Sequence, residues 1–149
     1  MRKAFVIVSS LLLVSFALQF VFAAVVGFTK PAGDGAYALH SVNGMAVIPV
    51  LALLTALSAA LAKAPGRLIG LAVLPIGLVF LQALIAMLAN AFTDAAGART
   101  PLGLTIAGLH AVNGIVAVHV VVGVLRAARQ LNRPAPAVAR VPVREGEPA

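Results

Sequence analysis

The chain has 149 residues, of which 62% are hydrophobic and 10% charged, with a formal net charge of +7 and no cysteine. Soluble domains carry about 25% charged residues, so this composition, with a mean hydropathy of +1.08, excludes an ordinary water-soluble globule. The missing cysteine excludes disulfides, iron–sulfur clusters, thiolate haem ligation and covalently attached c-type haem.

Crossing a hydrocarbon core of about 30 Å takes about 20 apolar residues. Four runs qualify, at residues 4–28, 36–62, 68–92 and 102–125, and Asp34, Asp94, Glu145 and Glu147 all fall outside them. The expected fold is all-α: a polytopic membrane protein whose four transmembrane helices form two parallel-related helical hairpins. The bundle covers residues 1–133, with halves of about 1–66 and 67–133, and residues 134–149 form a disordered basic tail. The first run follows Arg2 and Lys3, as a signal peptide's would. Signal cores run about 7–15 residues and this one is longer, so an uncleaved helix is expected.

In chain order, Lys30-Pro31-Ala32-Gly33-Asp34-Gly35 is a loop dense in helix breakers, with Asp34 placed to cap the second helix. Pro49 and Pro75 predict kinks in the second and third helices. Ala64-Pro65-Gly66 predicts a tight turn that sets those two helices side by side. Gly66 and Gly70 have the spacing of a small-residue contact face. Thr100-Pro101 joins an N-cap to a proline at the first helical position. The fourth helix should run past Arg126 and stop at Asn132-Arg133-Pro134.

Nine of the eleven basic residues lie before the first run, between the second and third, or after the fourth; only Lys30 and Arg99 lie on the other side. By the positive-inside rule both termini are cytoplasmic, and the Ala-, Val- and Arg-rich composition suits a bacterial inner membrane. The basic tail fits anionic lipid headgroups rather than nucleic acid.

The most informative motif is a repeated pentad, His-x-Val-Asn-Gly, at residues 40–44 and 110–114. Each copy follows a leucine and opens an apolar run. Upstream, Leu18-Gln19 precedes Phe28-Thr29, and Leu81-Gln82 precedes Phe92-Thr93. Each half thus contains a helix with a mid-membrane glutamine, a loop, then the pentad. Two helices per half give both halves the same orientation, so a pseudo-two-fold axis along the membrane normal is expected. That axis would relate His40 to His110, and in this alignment Pro49 falls opposite His119.

At about 100° per residue, the histidine, asparagine and glycine of one pentad share a helix face. Counting about 1.5 Å per residue from Arg126 puts His110 about 24 Å from the cytoplasmic boundary, with His40 at comparable depth. Two inward imidazoles at one level are the ligand set for a bis-His haem b. On this reading His40 and His110 ligate the iron, and Gly44 and Gly114 leave room beside the helix backbone. Asn43, Asn113, Gln19 and Gln82 complete the binding site. Gln19, Gln82 or a backbone carbonyl would hold each second ring nitrogen. The plain alternative is packing, since intramembrane His, Asn and Gln bond across helices for about 0.6–2 kcal/mol each. A third is binding of an ion or substrate. A zinc site wants about four N, S or carboxylate ligands, which the spans do not supply. No acid lies at membrane depth to carry a proton relay. His119 is about 180° around the helix from His110 and cannot share its ligand plane.

In the four-span layout and the histidine positions the chain resembles b-type membrane cytochromes in general plan. With a Gln in the third span and Leu-His-x-Val-Asn opening the fourth, it also resembles a family of small uncharacterised bacterial four-span membrane proteins over most of the chain outside the tail. That family brings architecture and no activity. The leading expectation is an electron-transfer protein with one bis-His haem, working with a membrane redox complex or a quinone. The alternatives are a cofactor-free accessory subunit of a larger membrane complex, and a small carrier or lipid-binding protein, the last needing a homodimer to provide alternating access. An independent enzyme is not indicated.

Overall fold

The computed structural model describes residues 1–29, 33 and 35–133. The expected Asp34 cap and the tail over 134–149 lie outside the described residues. Four helices are long and apolar enough to cross a membrane: α1, Arg2–Phe28; α2, Ala38–Leu61; α3, Gly66–Ala91; and α4, Pro101–Leu131. No β-strand is present among the described residues; a single bridge joins Thr93 and Arg99. The described residues are therefore all-helical, one of the two arrangements that leave no unpaired backbone group facing lipid.

The helices are neighbours in the cyclic order α1–α2–α3–α4, with α4 returning to α1. Both described chain ends and the turn between α2 and α3 lie at one end of the bundle, here called proximal. The connections α1–α2 and α3–α4 lie at the other, distal end. The proximal half is solid: Phe5, Ala59, Ala62, Ala64, Ala72, Val124 and Ala128 form one buried cluster. Leu12, Phe16, Ile48, Ala52, Ala117 and Val121 form the next, at mid-height. Small side chains let these helices approach closely. The buried hydroxyls among them turn back on their own helices, Ser9 Oγ donating to the Phe5 carbonyl at 2.7 Å and Thr55 Oγ1 to that of Leu51 at 2.7 Å.

The repeat is visible in the burial pattern. Ser9, Leu12 and Val26 of α1 match Ala72, Pro75 and Ala89 of α3, each pair 63 positions apart and all buried. In α2 and α4 the separation changes along the helix. Asn43 and Asn113 are 70 apart, whereas Ile48 and Ala117, Ala52 and Val121, Thr55 and Val124, and Ala59 and Ala128 are 69 apart. The extra residue of α2 is taken up in a π-helical turn at Asn43–Val47, and α4 has no such turn. Pro49 follows directly. In a regular α-helix its missing N–H would leave the Met45 carbonyl unpaired and its ring would press on that carbonyl; the π turn, with the Ile48 N–H on the Asn43 carbonyl, lies just ahead of it. The ungapped alignment that put Pro49 opposite His119 is thus corrected: past the π turn, His119 falls opposite Val50. Pro75 sits within a continuous α3.

The ends of α2 and α4 follow their sequence signals. After Ala62, Lys63 adopts φ 53°, its N–H bonds to the Ala60 carbonyl at 2.9 Å and the Ala64 N–H reaches the Ala59 carbonyl at 3.1 Å, the two bonds of a Schellman motif. Thr100 caps α4, accepting from the Gly103 N–H at 3.2 Å and donating to the Phe92 carbonyl at 3.1 Å. A Cβ on Gly103 would come within 2.5 Å of that carbonyl, which explains glycine there. Gly66 and Gly70 have no atom within 4 Å of a Cβ position, so their spacing serves no close contact among the described residues. Because a non-glycine residue at positive φ costs about 1–2 kcal/mol, Lys63→Gly should stabilise the bundle by about 1 kcal/mol, seen as a raised midpoint of thermal unfolding in detergent; an unchanged or lowered midpoint contradicts this account of the turn.

Candidate functional site

The two pentads meet in the distal half. In the first half, Gln19 of α1 lies across α2: its Nε2 donates to the His40 carbonyl at 2.9 Å, and its Oε1 accepts from Asn43 Nδ2 at 2.7 Å. Asn43 Nδ2 also donates to the Ser15 carbonyl at 2.9 Å, and Ser15 Oγ returns a bond to Asn43 Oδ1 at 2.7 Å. The second half repeats the pattern. Gln82 Nε2 donates to the His110 carbonyl at 2.8 Å, and Asn113 Nδ2 donates to both Gln82 Oε1 and the Leu78 carbonyl. Leu78 occupies the place of Ser15, so the second clamp lacks the hydroxyl. These bonds give the buried amides of Asn43 and Asn113 the partners that lipid cannot supply.

The glycines make the clamps possible. A Cβ at Gly44 would stand 2.7 Å from Gln19 Nε2, so the glutamine amide lies directly over that backbone. At Gly114 the corresponding space is shared: a Cβ would be 3.4 Å from Cζ of Phe20, which comes from the other half, and 3.8 Å from Gln82 Nε2. The glycines admit the chain's own side chains.

The imidazoles project from the clamps toward each other. The rings of His40 and His110 are half-buried, with centroids 6.4 Å apart and planes tilted by 39°. Nδ1 of His40 lies 3.3 Å from the Gln19 carbonyl, so in the tautomer that donates there Nε2 is left as an acceptor. Nδ1 of His110 makes no hydrogen bond, and is the one such buried side-chain nitrogen or oxygen among the described residues. Tyr37 stands edge-on to His40 at 6.4 Å. His119 is elsewhere: it is exposed on the bundle's outer surface, with Nδ1 2.9 Å from the Ile115 carbonyl.

Two cavities adjoin the histidine pair. One, of about 660 Å³, is mainly apolar and includes Phe16, Phe20, Ile48, Ile76, Val79 and Met87 in its walls. It is within the ~300–1,000 Å³ usual for small-molecule sites. The other, of about 580 Å³, extends to Tyr37, Asn90 and Arg99. Of the sequence-derived candidates, Gln19, His40, Gly44, Gln82, His110, Asn113 and Gly114 all border the apolar cavity, and Asn43 does not. Sequence reasoning missed Ser15, Phe20 and Tyr37. Ser15 was findable, one helical turn before Gln19 on the same face; Phe20 crosses from one half to the other, which no local pattern encodes.

The glycine contacts predict an asymmetry. Gly44→Ala should expel Gln19 from its clamp and destabilise the bundle by about 1–3 kcal/mol, the range for forced overpacking. Gly114→Ala, facing only ordinary contacts, should cost clearly less. Thermal unfolding of both variants in one detergent checks this, and equal losses would contradict it.

Comparison with known proteins adds little beyond the architecture. Residues 19–91 match the model of a family of unknown function (DUF6220). The match runs from Gln19 through the first pentad to the end of α3. It leaves out α4, although the likeness to an uncharacterised family was expected over most of the chain outside the tail. No curated protein and no solved structure matches the chain, so the expected likeness to bis-His cytochromes finds no counterpart there. The chain is similar, over about half its length, to a family whose activity is unknown.

Proposed function

We propose that the chain is an integral membrane b-type haem protein, with one haem between His40 and His110, serving electron transfer. One observation carries the reading: the two imidazoles stand 6.4 Å apart, centroid to centroid, and border one apolar cavity. A metal–imidazole bond of about 2.0 Å on each side, with the half-width of each ring, would set His40 and His110 roughly 6 Å apart, centre to centre. Ordinary ring packing also spans this distance, as between Tyr37 and His40, but packing alone has no need of an apolar cavity that both imidazoles border.

The surrounding residues fit the same reading. The Gln19 carbonyl orients the His40 ring, as a hydrogen bond to the second ring nitrogen generally does for metal-bound histidines. Nδ1 of His110 has no partner among the described residues. Gln19 and Gln82 themselves hold the histidine carbonyls, which fixes the helix segments bearing the ligands. Phe16, Phe20, Ile48 and Val79 give the cavity a water-poor lining suited to a flat apolar group. Bound haem supplies one-electron chemistry. His40 and His110 would both be engaged in holding the iron, which suits electron transfer. The charge distribution favours cytoplasmic termini in a bacterial inner membrane. The site would then lie in the extracytoplasmic leaflet, facing a redox complex or a quinone there.

A second reading also has an observation behind it. Gln19, Asn43, Gln82 and Asn113 all make bonds that tie helices together, which is what a cofactor-free accessory subunit of a larger complex would need. A small carrier or lipid-binding role has only the cavities in its favour.

Absorption spectroscopy separates these readings. The purified chain, expressed with haem supplied, should show a sharp Soret band that shifts on dithionite reduction, at one haem per chain. His40→Ala and His110→Ala should each abolish the six-coordinate spectrum, while His119→Ala, altering a ring outside the site, should leave it unchanged. A colourless wild type sinks the haem reading and leaves the accessory role.

A further inference from the structure

A haem between His40 and His110 accounts for the apolar cavity but not for the second one. That cavity starts at the same two rings and continues distally, and its polar wall is made by Tyr37, Ser41, Asn90 and Arg99. Arg99 is the single basic residue at the distal end among the described residues. Every other described one is near the proximal end, so its position here is not part of the flanking charge that orients the chain.

Arg99 is exposed, and both its backbone and its side chain have partners. Its backbone forms the bridge to Thr93, in the short connection after α3. Its guanidinium donates to Asn90 Oδ1 at 2.7 Å, and Asn90 itself borders both cavities. Guanidinium offers five N–H donors in a planar fork that matches carboxylate geometry. One of these is engaged by Asn90, and that bond aims the group while leaving donors for a ligand. Asp94, the nearby acid, is bound to the amides of its own turn: its Oδ1 accepts from Ala96 and Ala98 at 2.9 Å each.

We infer that Arg99, positioned by Asn90, is a carboxylate-binding residue at the mouth of the site. The ligand held by the two histidines then lies with its apolar body against Phe16, Phe20 and Ile48 and its acid edge toward the distal opening. This rests on the haem reading, because haem is the flat apolar molecule with carboxylates along one edge that such a divided site would take. The site thus fixes which way round the macrocycle sits, and Arg99 is the residue that reads its acid groups.

The test titrates the full-length chain in detergent with haem and, separately, with haem dimethyl ester, in which the carboxylates are capped. Wild type should bind haem about tenfold more tightly than the ester, the scale of one charge-assisted hydrogen-bonded contact. Arg99→Gln should lower haem affinity about tenfold and leave ester affinity unchanged, and Arg99→Lys should restore part of the loss. Arg67→Gln, removing a cation at the proximal end, should alter neither. If Arg99→Gln binds haem as tightly as wild type, or loses haem and ester equally, the inference is overturned while the haem reading stands. If wild type binds neither macrocycle, the haem reading fails and the inference falls with it.

Discussion

Everything in the distal half follows from one constraint: a polar group at membrane depth must find its partner within the protein. The two glutamine amides answer it twice over. Each donates to a histidine carbonyl on a neighbouring helix and accepts from an asparagine one turn further on. An amide that does both cannot slide along its neighbour without losing both bonds. The clamps therefore set the register of α1 against α2 and of α3 against α4, in a bundle where apolar packing alone discriminates poorly between registers because lipid is as apolar as leucine. Bonds between helices in membranes average about 0.6 kcal/mol, so the gain is more in specificity than in stability.

This division of labour explains why the bundle is solid at one end and hollow at the other. Proximally, alanines and hydroxyls that bond back to their own helices permit close approach, and the helices meet. Distally, the longer polar side chains occupy the interfaces within each hairpin, and the diagonal between α2 and α4 is left to two imidazoles. The cavities beside them are what remains when small residues such as Ala23, Ala83 and Ala86 line the space between α1 and α3.

Much of this was legible in the sequence. Hydropathy gave the four spans to within about two residues at most boundaries, because lipid-crossing length is a hard physical requirement. The Thr100 cap and the turn at Lys63–Pro65 carried their own local chemistry. The doubled pentad brought His40 and His110 to one level, since repetition implies an axis and an axis implies equivalent depth. What could not be read was the use of the glycines. Their position beside the histidine suggested space for something external, yet at Gly44 the occupant is Gln19, a residue from another helix. The π turn was hidden for a related reason. Pro49 signals an interrupted helix, but whether the chain answers with a kink or an inserted residue depends on which later side chains must reach the core. Only the buried set from Ile48 to Ala59, displaced by one position from its counterpart in α4, reveals the answer.

That displacement has a wider meaning. Two identical hairpins associating as separate molecules must keep identical contacts across their axis, so any change on one side is imposed on the other. Tethered in one polypeptide by the Lys63 turn, the hairpins are released from that rule. One has acquired Ser15 and an extra residue, the other Leu78 and an unbroken helix. The covalent link thus turns an obligatory equality into freedom for each imidazole to acquire surroundings of its own, one ring tethered by a carbonyl and the other not.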